Sequence, residues 1–179
     1  MGDMGHTEQV TYLTLRLFDE LMMLHSLGDQ ERLLLEYAAL LHDIGWVQGW
    51  KGHHKSSLKM ILESQKLPFD SKERLIIGSI ARYHRKTLPS QEHDHYAALT
   101  AADQRIVSRL AALLRIADGL DRTHTNAVSN LRCFVDQKEV VISCVTAHPA
   151  AQEEKYATEK ADLFSLVYEK KVTIRMQTT

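Results

Sequence analysis

Apolar residues recur at intervals of three and four over the first two thirds of the chain, the spacing that places side chains on one face of an α-helix. The first segment with this spacing contains Val10, Leu13, Leu17, Leu21 and Leu24. Similar segments follow and are separated at Gly28, Gly45 and Pro68, residue types that commonly end helices. Asp70 and Thr100, each followed three residues later by an acidic residue, resemble capping boxes. The pattern predicts a helical bundle that reaches to about residue 125.

The hydrophobic period changes to two after Asn126, which is the spacing of β-strands. The predicted elements are strands at about 131–135, 140–145 and 172–176 and a helix at about 150–168. We therefore predict a mainly α fold with a small C-terminal β-β-α-β appendage. This fold divides the chain into a helical domain at 1–125 and a subdomain at 126–179 that packs on it.

The composition excludes several classes of function. Lys and Arg number 22 against 23 Asp and Glu, giving a formal net charge of -1, so general binding to nucleic acid is not expected. No apolar run approaches the length of a membrane-spanning helix, and the N-terminus does not resemble a signal peptide. Cys133 and Cys144 are too few for a disulfide scaffold, which favours a cytoplasmic location.

The chain contains 10 histidines among 179 residues, an unusually large number. Helical spacing places five ionisable residues on the apolar faces of predicted helices: His6, His42, His54, His84 and Asp118. Asp43 lies at the edge of such a face. A buried imidazole or carboxylate must be paired, hydrogen-bonded or bound to a metal, because desolvating it alone costs several kcal/mol. A divalent ion satisfies four of these groups at once if its ligands are His6, His42, Asp43 and Asp118. Nitrogen and oxygen donors in this mixture suit Mn, Mg, Fe, Co or Zn.

Each of these residues also has a structural alternative when it is taken alone. A single histidine on an apolar face is often hydrogen-bonded within the core, and Asp118 has Arg115 and Arg122 within reach along its helix. The remaining histidines fall at predicted helix ends or in loops, and we expect them to be solvated: His25, His93, His95, His124 and His148. Trp46 and Trp50 flank a glycine-containing loop, and we expect them to be core or lip residues.

Four blocks of sequence carry a family resemblance. They are LLHDIG at 40–45, GHHKS at 52–56, ARYHRK at 81–86 and LLRIADGLDR at 113–122. Together with His6 they resemble the H…HD…D arrangement of the HD superfamily of metal-dependent phosphohydrolases. More specifically, they are similar to the C-terminal HD-type domain of the exopolyphosphatase/guanosine-pentaphosphatase (Ppx/GppA) family. Full-length members carry an actin-like phosphohydrolase module ahead of this domain, and we expect the present chain to be the HD-type domain standing alone. Family members often have His where Ser56 stands, which removes one candidate ligand.

The resemblance implies a role for each matched residue. The expected metal ligands are His6, His42, Asp43 and Asp118. Asp43 and His84 are the expected catalytic residues. The histidines that resemble the additional ones of two-metal HD proteins, and that hold a second ion or the substrate, are His53, His54 and His84. The basic residues near these histidines in sequence are candidates for phosphate binding, with a solvated helix face as their alternative: Lys55, Arg82, Arg85, Lys86 and Arg122.

The resemblance implies a metal-dependent phosphohydrolase that acts on a nucleotide or another small anionic phosphate ester, with a metal-activated water attacking phosphorus. The alternative is a metal-stabilised module that binds polyphosphate, a nucleotide or a partner protein without turnover. The candidate protein partners are a second copy of the chain, forming a homodimer, and a separately encoded actin-like phosphatase subunit. The substrate classes left open are guanosine polyphosphates, cyclic dinucleotides, monophosphates and polyphosphate.

Overall fold

The structure is a computed structural model that describes residues 4–49 and 51–179. In chain order the helices are α1 (Met4–Glu20), α2 (Met22–His25), α3 (Asp29–Leu41), a 3₁₀ helix (Ile44–Gln48), α4 (His53–Glu63), α5 (Ser71–Arg82), α6 (Asp94–Ala97), α7 (Ala101–Leu120), α8 (Ala151–Lys160) and α9 (Asp162–Tyr168). The strands are β1 (Val128–Val135), β2 (Glu139–Thr146) and β3 (Lys171–Thr178). This order confirms the prediction of a mainly α fold with a small C-terminal sheet.

Side chains cap the first turns of two helices in the bundle, α5 and α7. At α5 the Asp70 carboxylate accepts the Glu73 N–H at 2.8 Å, and the Glu73 carboxylate accepts the Asp70 N–H at 3.0 Å, so the predicted capping box is confirmed. At α7 the Thr100 hydroxyl oxygen accepts the Asp103 N–H at 3.2 Å. The Asp103 carboxylate accepts the Thr100 hydroxyl rather than its backbone N–H, so this start is a single cap and the predicted second box is wrong.

The central helix of the bundle is α7. Its apolar residues from Val107 to Leu120 are almost all fully buried, and it packs against α1, α5, α8 and α9. A helix that is apolar on nearly every side must be covered by neighbours all round. For this reason the polar residues near the C-terminal end of α7 also lie close to neighbouring helices.

The sheet has the order β1-β2-β3, with β1 antiparallel and β3 parallel to β2. The parallel pair requires a crossover, which α8 and α9 supply. The single helix predicted over 150–168 is wrong, because the helix is interrupted at Ala161. Asp162 there accepts the N–H of Leu163 and pairs with Arg115 of α7, which starts a new helix at that residue.

Buried apolar residues of the sheet and of the helices form one continuous core. The division of the chain into domains at 1–125 and 126–179 stays a prediction. In the described ranges, no helix is both long enough and apolar enough to cross a membrane.

Candidate metal centre

The predicted metal ligands come together at one place in the fold. His6 projects from α1, His42 and Asp43 follow the last turn of α3, and Asp118 lies near the end of α7. His6 Nε2 is 3.4 Å from Asp118 Oδ1. His42 Nε2 is 3.8 Å from the same oxygen and 3.5 Å from Asp43 Oδ2. Ligand atoms that are each about 2.0–2.2 Å from one divalent ion lie roughly 3–4 Å apart, so these separations fit a shared ion.

The histidine rings are held with Nε2 facing this centre. Nδ1 of His42 is 2.7 Å from the carbonyl oxygen of Ala39, and Nδ1 of His84 is 2.7 Å from that of Ala81. A carbonyl oxygen only accepts, so each Nδ1 carries the proton and each Nε2 has a free lone pair. In the described part of the chain, no group forms a hydrogen bond with the buried Nε2 of His42. That atom has the orientation and the available lone pair of a metal ligand.

His6 is oriented by a carboxylate instead of a backbone carbonyl. Its Nδ1 lies 2.8 Å from Oδ2 of Asp121, a residue with 0% exposure. Asp121 is held in turn, because its Oδ1 accepts the N–H of Asn126 at 2.9 Å. A carboxylate that accepts from Nδ1 is a common support for a metal-binding imidazole.

Asp43 also faces a second pair of histidines. Its Oδ1 is 3.1 Å from His53 Nε2 and 3.5 Å from His84 Nε2. One oxygen of Asp43 thus lies near His42 and the other lies near His53 and His84. The side chains of Asp43, His53 and His84 are close enough together to hold an ion. The nitrogen of His53 is also 3.3 Å from the guanidinium of Arg85.

Close packing holds the start of α4, where His53 lies, against the 3₁₀ helix that follows α3. A Cβ added at Gly45 would lie 2.1 Å from the carbonyl oxygen of His53 and 2.6 Å from the Ser57 nitrogen, so only glycine permits this approach. The Ser57 hydroxyl donates to the carbonyl of His42 at 2.7 Å and accepts the N–H of Gly45 at 3.0 Å. Through these contacts the backbone after α3, which carries His42 and Asp43, is tied to α4, which carries His53.

Burial sets the protonation of the site. It lowers the pKa of His42 to about 4 and the pKa of His84 well below 6.5, although Asp43 opposes both shifts. Both rings are therefore neutral near pH 7. Burial alone would raise the pKa of Asp43, but the hydrogen bond with His53 and the neighbouring imidazoles lower it below its usual range. His42 and His84 thus offer neutral nitrogens and Asp43 offers an ionised carboxylate, the forms that bind metals.

A cleft of about 330 Å³ opens onto this centre, and its wall carries several positive charges. The lining residues are His6, Asp43, Trp46, His53, His84, Arg85, Lys86, Asp118, Arg122, His124, Tyr156, Glu159 and Lys160. The predicted phosphate-binding residues Arg85, Lys86 and Arg122 are among them. Trp50 lies outside the described residues.

Three residues of the site were missed by sequence reasoning. Lys160 of α8 contacts the Asp118 carboxylate, and no spacing rule marks it because α8 is mostly polar. Burial, with Arg115 and Arg85 nearby, lowers the pKa of Lys160 to about 7, whereas the carboxylates of Asp43 and Asp162 oppose this shift. Asp121 could have been found, since it follows Asp118 by three residues on the same face. His124 was expected to be solvated; its exposed ring stacks on that of His6 with centroids 3.8 Å apart.

Three other predicted residues lie elsewhere. His54, Lys55 and Arg82 line a different cavity, at the start of α4 and the end of α5. Burial, together with Arg82 and His53, lowers the pKa of His54 to about 4. The side chain of His54 is buried, as predicted, but it does not line the cleft of the metal centre.

The expectation of a solvated His25 is wrong. Its ring is 1% exposed, packs on Phe18, and makes hydrogen bonds to the Phe18 carbonyl and the Leu27 N–H. His93 and His95 are partly buried, since they bond to the hydroxyls of Tyr83 and Ser79. His148 is exposed as predicted.

Residues 2–164 match the family model described as Ppx/GppA phosphatase, domain III. The match runs from α1 into α9 and ends before β3. No curated protein matches the chain.

Proposed function

The chain belongs to the Ppx/GppA phosphatase family, and on this premise we propose that it is a metal-dependent phosphohydrolase of the HD type. Its substrate in this proposal is a nucleotide or another small phosphate ester. The observation that carries the proposal is the convergence of His6, His42, Asp43 and Asp118 at the base of a basic cleft. Imidazoles and carboxylates that are gathered in a cleft and largely removed from water are characteristic of functional sites.

The donor set fits Mn, Fe, Co, Zn or Mg, because it combines imidazole nitrogens with carboxylate oxygens and contains no thiolate. The ligands of a first ion are His6, His42, Asp43 and Asp118. Those of a second ion are Asp43, His53 and His84. When bound, such ions polarise a phosphoryl oxygen and lower the pKa of a water molecule to near neutrality.

The protein's own side chains bind and orient the substrate. Arg85, Arg122 and Lys160 line the cleft, where their positive charges balance the negative charge of a phosphoryl group. The chain as a whole has a net charge of -1 and does not attract an anion by itself. The neutral Nε2 of His84 faces the cleft beside Asp43, where it accepts a proton or binds an ion. Trp46 stacks on His53 and limits water on that side of the cleft.

One contact favours the alternative of ligand binding without turnover. The Lys160 amine contacts Asp118 and, in its ammonium form, sets a positive charge against a proposed metal ligand. A metal ion must displace it or share the carboxylate with it. We expect Lys160→Met to raise metal affinity. The same variant should lower the rate of phosphate release if Lys160 binds the substrate.

The test combines elemental analysis of the purified chain with a phosphate-release screen. The panel contains nucleoside polyphosphates, cyclic dinucleotides, monophosphates and polyphosphate, each with Mn²⁺, Zn²⁺ or Mg²⁺. We expect release with at least one substrate and a loss of about a hundredfold or more in His42→Ala and Asp43→Asn. His148→Ala, at an exposed position, is the matched control. Full activity in the two ligand variants would refute the proposal, and tight binding without release would support the alternative.

A further inference from the structure

A second cavity, of about 800 Å³, lies where the first turn of α4 meets the end of α5. Four cationic side chains line it: Lys51, Lys55, Arg82 and Lys86. Two exposed carboxylates, Glu92 and Asp94, also line it, so the charged side chains sum to an excess of positive charge. None of the four proposed ligands of the first ion borders this cavity.

The guanidinium of Arg82 brings to this cavity a positive charge that no described carboxylate pairs with. Arg82 is 6% exposed, and its one side-chain hydrogen bond to a described residue is a long one, 3.4 Å to the Thr87 hydroxyl. Arg115, which is buried to a similar degree, makes a two-oxygen contact with Asp162 at 2.9 Å and donates to the Tyr83 carbonyl. Among the described residues, no carboxylate forms a comparable ion pair with Arg82. The guanidinium carbon of Arg82 also lies 5.9 Å from the centroid of the Tyr83 ring, a contact that does not neutralise its charge. A largely buried cation without a paired carboxylate is costly, and an anion in the cavity lowers that cost.

The first turn of α4 adds neutral donors at the same place. Gly52, with φ of +82°, turns the chain into α4, and Gly52 and His54 both border the cavity. The N–H groups at the start of a helix of this length carry a partial positive charge that favours anions. His54 is 4% exposed, and no described group forms a hydrogen bond with its Nδ1.

Lys86 connects this cavity with the metal-site cleft. It borders both, and its φ of +61° lies in the left-handed region, which a non-glycine residue rarely adopts. Such a conformation persists where the surroundings require it, and it commonly marks a functional segment. Here it places a lysine between the two cavities.

We propose that the second cavity is an anion-binding site for a phosphoryl group, separate from the hydrolytic centre. Arg82 supplies the buried charge, Lys55 and Lys86 supply exposed charges, and the N-terminal end of α4 adds the positive end of a helix dipole. The site does not depend on bound metal or on turnover.

The test is an NMR titration of the metal-free full chain with inorganic phosphate, with ionic strength matched by sodium chloride. We expect saturable amide shifts in the first turn of α4 and in residues 82–87. Lys55→Glu should weaken phosphate binding by about tenfold, because the substitution replaces a positive charge near the anion with a negative one. Lys59→Glu, one turn further along the exposed side of α4, should change it less than about twofold.

Arg82→Gln should remove the saturable shifts while far-ultraviolet circular dichroism remains unchanged. If burial of Arg82 makes that variant unfold, the comparison of the exposed residues Lys55 and Lys59 still decides. Equal affinities in Lys55→Glu and Lys59→Glu, shifts confined to Arg122 and Lys160, or shifts that never saturate would overturn the proposal. Because no step of the assay measures hydrolysis, failure of the proposed enzymatic function leaves its outcome unaffected.

Discussion

Asp121 shows how a residue outside the ligand set controls the metal centre. A histidine with its proton on Nδ1 presents a lone pair at Nε2, and the carboxylate of Asp121 holds the His6 proton in that position. His42 and His84 obtain the same tautomer from backbone carbonyls. The support for His6 is the one that a side-chain substitution can remove.

We predict that Asp121→Asn lowers the affinity for a divalent metal by about 10- to 100-fold. The new amide keeps a carbonyl oxygen for the Asn126 N–H, but its NH₂ group opposes the proton on His6 and favours the other tautomer. Titration calorimetry with Mn²⁺ or Zn²⁺ measures the loss. Glu63→Gln, at an exposed position, is the control. Equal affinities in the two variants would show that Asp121 has only a structural role.

The buried histidines also make the stability of the metal-free chain depend on pH. The pKa of His42 is about 4 in the folded chain and near 6.5 when unfolded, so protons bind more readily to the unfolded state. The contribution of His42 is complete above about pH 6.5. It is lost as the pH falls toward 4, by about 3 kcal/mol in all. His84 and His54 act in the same direction.

We predict that His42→Asn reduces this dependence. The asparagine amide can donate to the Ala39 carbonyl as Nδ1 does, but it does not titrate. Denaturant unfolding in the presence of a chelator, between pH 7 and 4.5, should give a loss of stability that is about 2 kcal/mol smaller in the variant. His148→Asn should behave like the unaltered chain. Parallel curves for His42→Asn would contradict the low pKa.

At the scale of elements, the approach of α8 to α7 brings Lys160 to the metal centre. A Cβ at Gly119 would lie 2.7 Å from both the Cα and the nitrogen of Ala157, so these helices meet through backbone atoms. Lys160 is three residues further along α8, beside Asp118. Arg115 then fixes the start of α9 through Asp162. The crossover that completes the sheet therefore also supplies a cation to the cleft.

We predict that Gly119→Ala lowers the free energy of unfolding by about 2 kcal/mol, because backbone atoms of α8 cannot move aside without shifting the helix. The shift also moves Lys160 away from Asp118, so any fall in phosphate release measured for Lys160→Met should appear in Gly119→Ala as well. Gly28→Ser is the control, since the nearest atom to an added Cβ there is 3.5 Å away. A Gly119→Ala chain as stable as the control would contradict the close packing.

Helical spacing was enough to place His6, His42 and Asp118 on inward faces, because one helix sets the direction of each side chain. It was not enough for contacts between elements far apart in the chain. Lys160 meets Asp118 across 42 positions, and the split of the phosphate candidates into two cavities depends on how the chain turns after α5. The prediction for His25 was wrong because its hydrogen bonds, to Phe18 of α1 and to Leu27, depend on how the chain turns around α2.

At the scale of the whole molecule, the proposed ligands tie together α1, α3 and α7, and the core continues from these helices into the sheet. Ile142 of β2, for example, belongs to the same group of buried residues as Leu114 of α7. A ligand that binds only the folded state stabilises every part that unfolds together with its site.

We predict that Mn²⁺ or Zn²⁺ at a hundred times its dissociation constant stabilises the chain by about 2.7 kcal/mol. This corresponds to about a hundredfold slowing of exchange for amides that open only on global unfolding. Native-state hydrogen exchange should show the same factor in α7 and in β2, because the two share one core. Slowing confined to the helices around the metal centre would instead indicate that residues 126–179 unfold on their own. In His42→Asn, where a proposed ligand is lost, the metal should slow neither element.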